Sequence, residues 1–232
     1  MRGIQMKYVV FVLFVLLVVS GEVFAEGCVS GNCSNGNATY VDSYGTYTGD
    51  WKDGKRHGKG TKVYYTGGSY TGDWQYDHQT GYGTDMYPDG SKYTGNYKKD
   101  KRHGKGTFEY SDGSKYTGDF QNNMYHGYGT KVYTDGSYTG DWKENERTGY
   151  GTFVDRNGVT YTGGWQNDKM HGEGIVTLLN GKKLSIVYDM GVGKVRNEII
   201  EQPVAKEPAV QSSQPKQKVA TPSGHKWKKP VQ

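Results

Sequence analysis

The sequence predicts an all-β protein: an elongated, twisted single-layer antiparallel meander of repeated β-hairpins, an open and solenoid-like sheet. Three observations carry this expectation. The segment YTGDWKDGKRHGKGT at 47–61 returns at Tyr70, Tyr93, Tyr116, Tyr138 and Tyr161, with spacings of 23, 23, 23, 22 and 23 residues, and a fixed period of this length marks a repeat architecture. Within each copy the leading residues alternate strictly, so Tyr47, Gly49 and Trp51 fall on one face of a strand and Thr48 and Asp50 on the other. The 232 residues are only 33% hydrophobic, with 21 tyrosines and 36 glycines and a mean hydropathy of −0.85. Such a chain has too little aliphatic surface for a thick two-layer core.

From the N-terminus, Met6-Lys7 and an unbroken apolar run of eleven residues from Val9 to Val19, followed by GEVFA, read as a secretory signal peptide over 1–25. The run is well short of the ~20 residues that span a bilayer. A lipoprotein linked through Cys28 is the rival processing, but Ala25-Glu26-Gly27 lacks a leucine-rich lipobox. Residues 26–35 form a cysteine-containing cap, in which Cys28 and Cys33, the sole cysteines, pair as a disulfide in an oxidising compartment. Two thiols with no histidine close by make a poor metal site.

The array proper runs over 36–191. NGNATYVDSYGT matches the second half of a unit, and LSIVYDM at Leu184 is a decayed seventh start. Seven positions after each leading tyrosine stands Gly54, Asp77, Asp100, Asn123, Asn145 or Asp168, residue types that tolerate left-handed backbone angles in a turn. Five of six units end in Asp-Gly or Asn-Gly, which favours primed turns into the next unit. Twelve or thirteen strands at about 4.8 Å extend roughly 60 Å. The unit beginning at Tyr116 lacks one residue, so its outgoing connection is shortened.

Residues 192–232 read as a disordered basic tail rich in Pro, Lys and Gln, with eight basic and three acidic side chains against nineteen and twenty over 26–191. Its Lys226, Trp227, Lys228 and Lys229 read either as a basic-aromatic hook for anionic lipid or cell-wall polymer or as part of a plain solubilising tail.

Tyrosine, any residue, glycine, any residue, an aromatic, then a turn and HGKG or HGYG, repeated every 23 residues, resembles the MORN repeat. The resemblance implies a hairpin-built open sheet used for scaffolding, dimerisation, membrane-proximal attachment or as an accessory beside a separate enzyme domain. It implies no reaction, and the 41 residues after Gly191 are too few and too polar for a catalytic domain.

The chemical groups support the same conclusion. His57, His103, His126 and His171 share one position, but Thr80 and Thr148 replace them in two units, and threonine can neither bind zinc nor act as a base. Asp50, Asp73, Asp119 and Asp141 recur on the face opposite the rings as solubilising groups, with an acidic stripe for divalent ions as the alternative. The glycines lack the strand, Gly-rich turn and helix of a phosphate loop, and clear space for rings instead. No catalytic, cofactor or metal residue is expected.

The candidate binding face is the paired rings Tyr47 and Trp51, Tyr70 and Trp74, Tyr93 and Tyr97, Tyr116 and Phe120, Tyr138 and Trp142, and Tyr161 and Trp165. Most of them are expected to be the only core the ribbon has, with the exposed remainder, and Tyr82, Tyr128 and Tyr150, free to bind. The expected function is a non-enzymatic exported scaffold attaching to an unknown protein or envelope surface. The alternative is a module for anionic lipid or glycan. Open sheet edges predict homodimers, and an exported chain has no nucleic acid to meet.

Overall fold

The computed structural model describes residues 16–19 and 22–199, with side chains over 26–197. Residues 1–15, 20–21 and 200–232 lie outside the described residues, so most of the expected signal peptide and the hook at Lys226, Trp227, Lys228 and Lys229 do too. Strands β1 (Leu16–Val19) and β2 (Glu22–Ala25) pair only with each other.

All other described strands form one antiparallel sheet of 16, in strict chain order. They are β3 (Gly27–Gly31), β4 (Gly36–Asp42), β5 (Gly45–Lys52), β6 (Lys55–Tyr64), β7 (Ser69–Gln75), β8 (His78–Met86), β9 (Lys92–Lys98) and β10 (Lys101–Glu109). The second half comprises β11 (Lys115–Gln121), β12 (Met124–Tyr133), β13 (Gly136–Lys143), β14 (Glu146–Asp155), β15 (Thr160–Gln166), β16 (Lys169–Thr177), β17 (Lys183–Asp189) and β18 (Val192–Ile199). No helix occurs among the described residues. At about 4.8 Å per step the 16 strands extend roughly 70 Å.

The sheet is longer than the repeat pattern indicated because both flanks join it. The cap supplies β3, held by a Cys28–Cys33 disulfide with the Cα atoms 6.0 Å apart. At the other end the tail does not begin at 192: Val192 pairs with Asp189 across the Met190-Gly191 turn, and β18 continues along β17 to Ile199. Among the described residues, β3 and β18 are the two unpaired edges of this sheet.

Turn chemistry differs between the two kinds of connection. Within each unit both central residues are left-handed, as in Asp53 (φ 52°) with Gly54 (φ 71°) and Asn122 (φ 51°) with Asn123 (φ 73°), the primed geometry that suits strand twist. Between units the expected primed Asp-Gly turns do not form. Tyr87 N–H bonds Ser91 O at 2.9 Å around three residues, Gly90 N–H bonds Tyr87 O at 3.0 Å, and Gly90 alone takes a positive φ of 88°. A three-residue loop leaves one left-handed position, which the glycine occupies. The shortened unit closes with a two-residue turn instead, Tyr133 pairing directly with Gly136.

The core is one ring thick. Gly49 pairs with Gly60, and the Tyr47 ring lies across both: a Cβ on Gly60 would stand 2.2 Å from its hydroxyl oxygen. All six leading tyrosines are 0–3% exposed. Each meets the second ring of its own unit and of the following unit edge-on, at 5.0–5.5 Å between centroids. The last link is Tyr161 to Tyr188, which stands where a seventh unit's second ring belongs. Each edge-to-face pair adds ~0.5–1.5 kcal/mol beyond area burial, so a single layer acquires a continuous interior.

Candidate functional site

The twelve paired rings are this interior rather than an accessible face. Ten of the twelve, from Tyr70 to Trp165, are 0–5% exposed, Tyr47 is equally covered, and only Trp51 in the first unit is half-buried. A ligand could stack on them only by displacing the groups above them. Those groups include arginines: the Arg56 and Arg147 guanidinium carbons lie 4.4 Å above the Trp74 and Trp165 ring centroids. Each leading hydroxyl donates to a carbonyl three residues on, at 2.9–3.1 Å. Burial pushes the Tyr47 and Tyr161 phenols up to about 12, and those of Tyr70, Tyr93, Tyr116 and Tyr138 higher still.

The acids of the opposite face are structural. Asp50 Oδ2 accepts the N–H of Lys59 at 3.0 Å, and Asp73, Asp119 and Asp141 accept from Tyr82, Tyr128 and Tyr150 at 2.8–3.2 Å. Those N–H groups project at a bulge, where Gly58 and Lys59 have no opposite number in their own hairpin. Gly58, φ 58°, therefore makes no room for a ring, since a Cβ there would meet the Asp50 carboxylate at 2.5 Å. The Lys59 N–H, then the Asn37 amide, hold the Asp50 carboxyl below its usual range. His57 packs edge-on against Tyr76 at 5.0 Å, a contact suited to packing rather than catalysis.

What the sheet offers to a partner is the outer face. One threonine per strand runs in register from Thr39 on β4 to Thr162 on β15. Alternate neighbours in this row are hydrogen-bonded at 2.9–3.2 Å. Beside the row stands a second one, two residues before Thr61, Thr84, Thr107, Thr130, Thr152 and, in the last return strand, Ile175: Lys59, Tyr82, Lys105, Tyr128, Tyr150 and Glu173. Tyr82, Tyr128 and Tyr150 are 56%, 58% and 61% exposed. Between Tyr82 and Tyr128 lies an open groove floored by Thr94, Thr107 and Thr117 and the glycines beside them. Successive members of the row are two strands, about 10 Å, apart.

A family model for the MORN repeat matches six consecutive segments, 47–69, 70–92, 93–115, 116–137, 138–160 and 161–183. The chain belongs to the MORN-repeat family. The matched units begin at the same six tyrosines that fill the interior, so the family signature coincides with the ring-over-glycine packing. No curated protein matches the chain. MORN repeats are non-catalytic scaffold repeats that bind proteins or membrane lipids.

The MORN units also share a clamp that residue types alone did not disclose. The turn residue of one unit reaches back to the preceding unit: Asp77 Oδ1 accepts from Arg56 N and Nε at 3.0 and 3.2 Å, and Asp168 Oδ1 takes the same two donors of Arg147 at 3.0 Å each. Asn123 and Asn145 make the backbone half of this contact, to Arg102 N and Tyr125 N, at 2.8 Å each. Besides tolerating left-handed φ, this position ties repeats together.

Proposed function

We propose that this chain is a non-enzymatic, exported repeat scaffold that docks another protein or an envelope surface on its threonine–tyrosine face. The observation carrying this reading is the contrast between the faces: inner rings consumed by packing, and Tyr82, Tyr128 and Tyr150 exposed beside a flat polar row. Export is supported by the apolar run Val9–Val19 and by the pairing of the only two cysteines. The free backbone of β3 and β18 favours homodimers through sheet edges.

A second reading has a specific observation behind it. Exposed tyrosines spaced by repeat units present rings for stacking against a glycan or lipid edge, with the basic tail as an auxiliary contact. Crosslinking in intact cells followed by mass spectrometry separates the two. A protein captured by the native chain and lost with the triple variant Y82A/Y128A/Y150A supports docking of a protein. Glycan or vesicle sedimentation lost with the same variant supports the second reading. If neither capture nor sedimentation depends on these rings, the face is not the functional surface.

A further inference from the structure

The inner face carries one hollow whose charge departs from the repeat pattern. It is lined by Arg102, Tyr110, Asn123, Tyr125, Lys131 and Asn145. Two units earlier the same six positions are Arg56, Tyr64, Asp77, Gln79, Asp85 and Asp100, one cation against three carboxylates. In the later hollow there are two cations and no carboxylate. The same repeat positions thus carry a net charge of opposite sign.

The consequences are visible atom by atom. Arg56 and Arg147 each give Nε to a turn carboxylate, but Arg102 faces Asn123, whose Oδ1 is taken by the Arg102 N–H and whose backbone oxygen accepts from Nη2 at 3.0 Å. Among the described residues no carboxylate lies within ion-pairing distance of Arg102 or Lys131. Asp85, the acid that feels the Arg102 charge, has Oδ2 occupied by the Tyr97 hydroxyl at 2.5 Å, and Asp112 senses Lys131 only at longer range. The Lys131 ammonium sits 5.1–5.3 Å from the ring centroids of Tyr110, Tyr125 and Tyr133, which fixes its position without neutralising it. Both asparagines use their carbonyl oxygens on backbone N–H groups, which leaves two amide NH₂ groups as donors. The Tyr110 and Tyr125 hydroxyls bond each other, and burial first, then that bond, keeps the Tyr125 phenol protonated far up the pH scale.

Apart from the Tyr110 and Tyr125 hydroxyls, which bond each other, the side-chain groups that line this hollow are left with donors and cations and no carboxylate. From this we infer an oxyanion site that takes a phosphate or phosphomonoester group, held by Arg102 and Lys131 with the Asn123 and Asn145 amides. Charge-assisted bonds of this kind are the strong ones, and a guanidinium fork matches phosphate oxygens. The site lies on the face opposite the docking row and stands or falls independently of it.

The test titrates the full chain with inorganic phosphate while following the side-chain amides of Asn123 and Asn145 by NMR. A saturable shift is expected below ~10 mM phosphate, the millimolar regime of a small solvent-open site. N123D/N145D restores two of the three carboxylates of the earlier hollow, and since other units carry aspartate at this position the fold tolerates it. This variant and Lys131→Met are each expected to weaken binding at least about tenfold, followed by ³¹P line broadening where the amides are gone. K52Q, remote from the hollow, leaves it unchanged. Phosphatidylcholine vesicles with and without phosphatidate identify the source: retention by phosphatidate that N123D/N145D abolishes assigns a lipid headgroup, and phosphate binding without retention assigns a soluble ligand. No saturable amide shift in the native chain, or ³¹P line broadening in N123D/N145D equal to that of the native chain, overturns the proposal.

Discussion

Gly106→Ala tests the ring-over-glycine interior directly. Gly106 lies in extended backbone, so alanine meets no conformational penalty there. A Cβ at this position would stand 2.4 Å from the Tyr93 hydroxyl oxygen, 2.6 Å from Cε2 and 2.7 Å from Cζ. The ring cannot yield cheaply, because it is 0% exposed and held between Tyr97 at 5.2 Å and Phe120 at 5.0 Å. Moving it by about 1 Å costs overpacking strain of ~1–3 kcal/mol. The same movement threatens the 2.9 Å bond from its hydroxyl to Asn96 O, worth about 1 kcal/mol. The expected loss is ~2–4 kcal/mol in total. Gly113→Ala is the matched control: nothing lies within 4 Å of its Cβ but φ is +85°, so strain of ~1 kcal/mol acts alone. Urea titration followed by tryptophan fluorescence measures both. In a Tyr93→Ala background the Gly106→Ala penalty should fall below ~1 kcal/mol, since the methyl enters vacated space. A Gly106→Ala cost no larger than that of Gly113→Ala would refute the packing argument.

Three further outcomes follow from the same structure. The buried phenols hold their protons in the folded state while unfolded tyrosines ionise near ~10, so stability is complete below that pH and falls as pH rises through the folded values, about 12 for Tyr47 and Tyr161. Absorbance of tyrosinate near ~295 nm and loss of circular dichroism should then change together in one steep alkaline transition. Lys62, 2% exposed, is ion-paired to Asp42 at 2.7 Å. Asp42→Ala strands a buried ammonium and should cost ~3 kcal/mol, whereas Lys62→Met leaves Asp42 bonded to the N–H groups of Tyr44 and Gly45 and should cost less in the same urea titration. Y82A/Y128A/Y150A removes only exposed rings, so each substitution should change stability by no more than ~0.5 kcal/mol in urea while the triple variant loses partner capture.

The architecture was legible because its determinants are local and repeated. Tyr47, Gly49 and Trp51 alternate with Thr48 and Asp50, and the register keeps that partition across the sheet. Less legible was whatever depends on contact between units. That most of these rings form the core was expected, but that each leading tyrosine meets the second ring of the following unit, which covers Trp74 to Trp165 and leaves Trp51 half-buried, is a relation absent from any one copy. The Asp77 to Arg56 clamp spans 21 residues and has no local signature. Ile199 escaped because Val192, 78% exposed, and Val195 alternate too weakly to announce an edge strand. The anion hollow was within reach of the sequence only by comparing units column by column, where Asp85 becomes Lys131 and Asp77 becomes Asn123. A repeat directs attention to what its copies share, whereas this site lies in what they do not.

The central claim is the proposal that partner docking uses the outer face the copies build together. Site-specific photocrosslinking measures this most directly: a photoreactive phenylalanine replaces Tyr82, Tyr128 or Tyr150 in turn, and inner-face Tyr64, Tyr87 or Tyr133 in a parallel set, with adducts identified from intact cells. The account predicts one recurring partner from the three outer positions and none of it from the inner set. Adducts with that partner arising chiefly from the inner positions would contradict it.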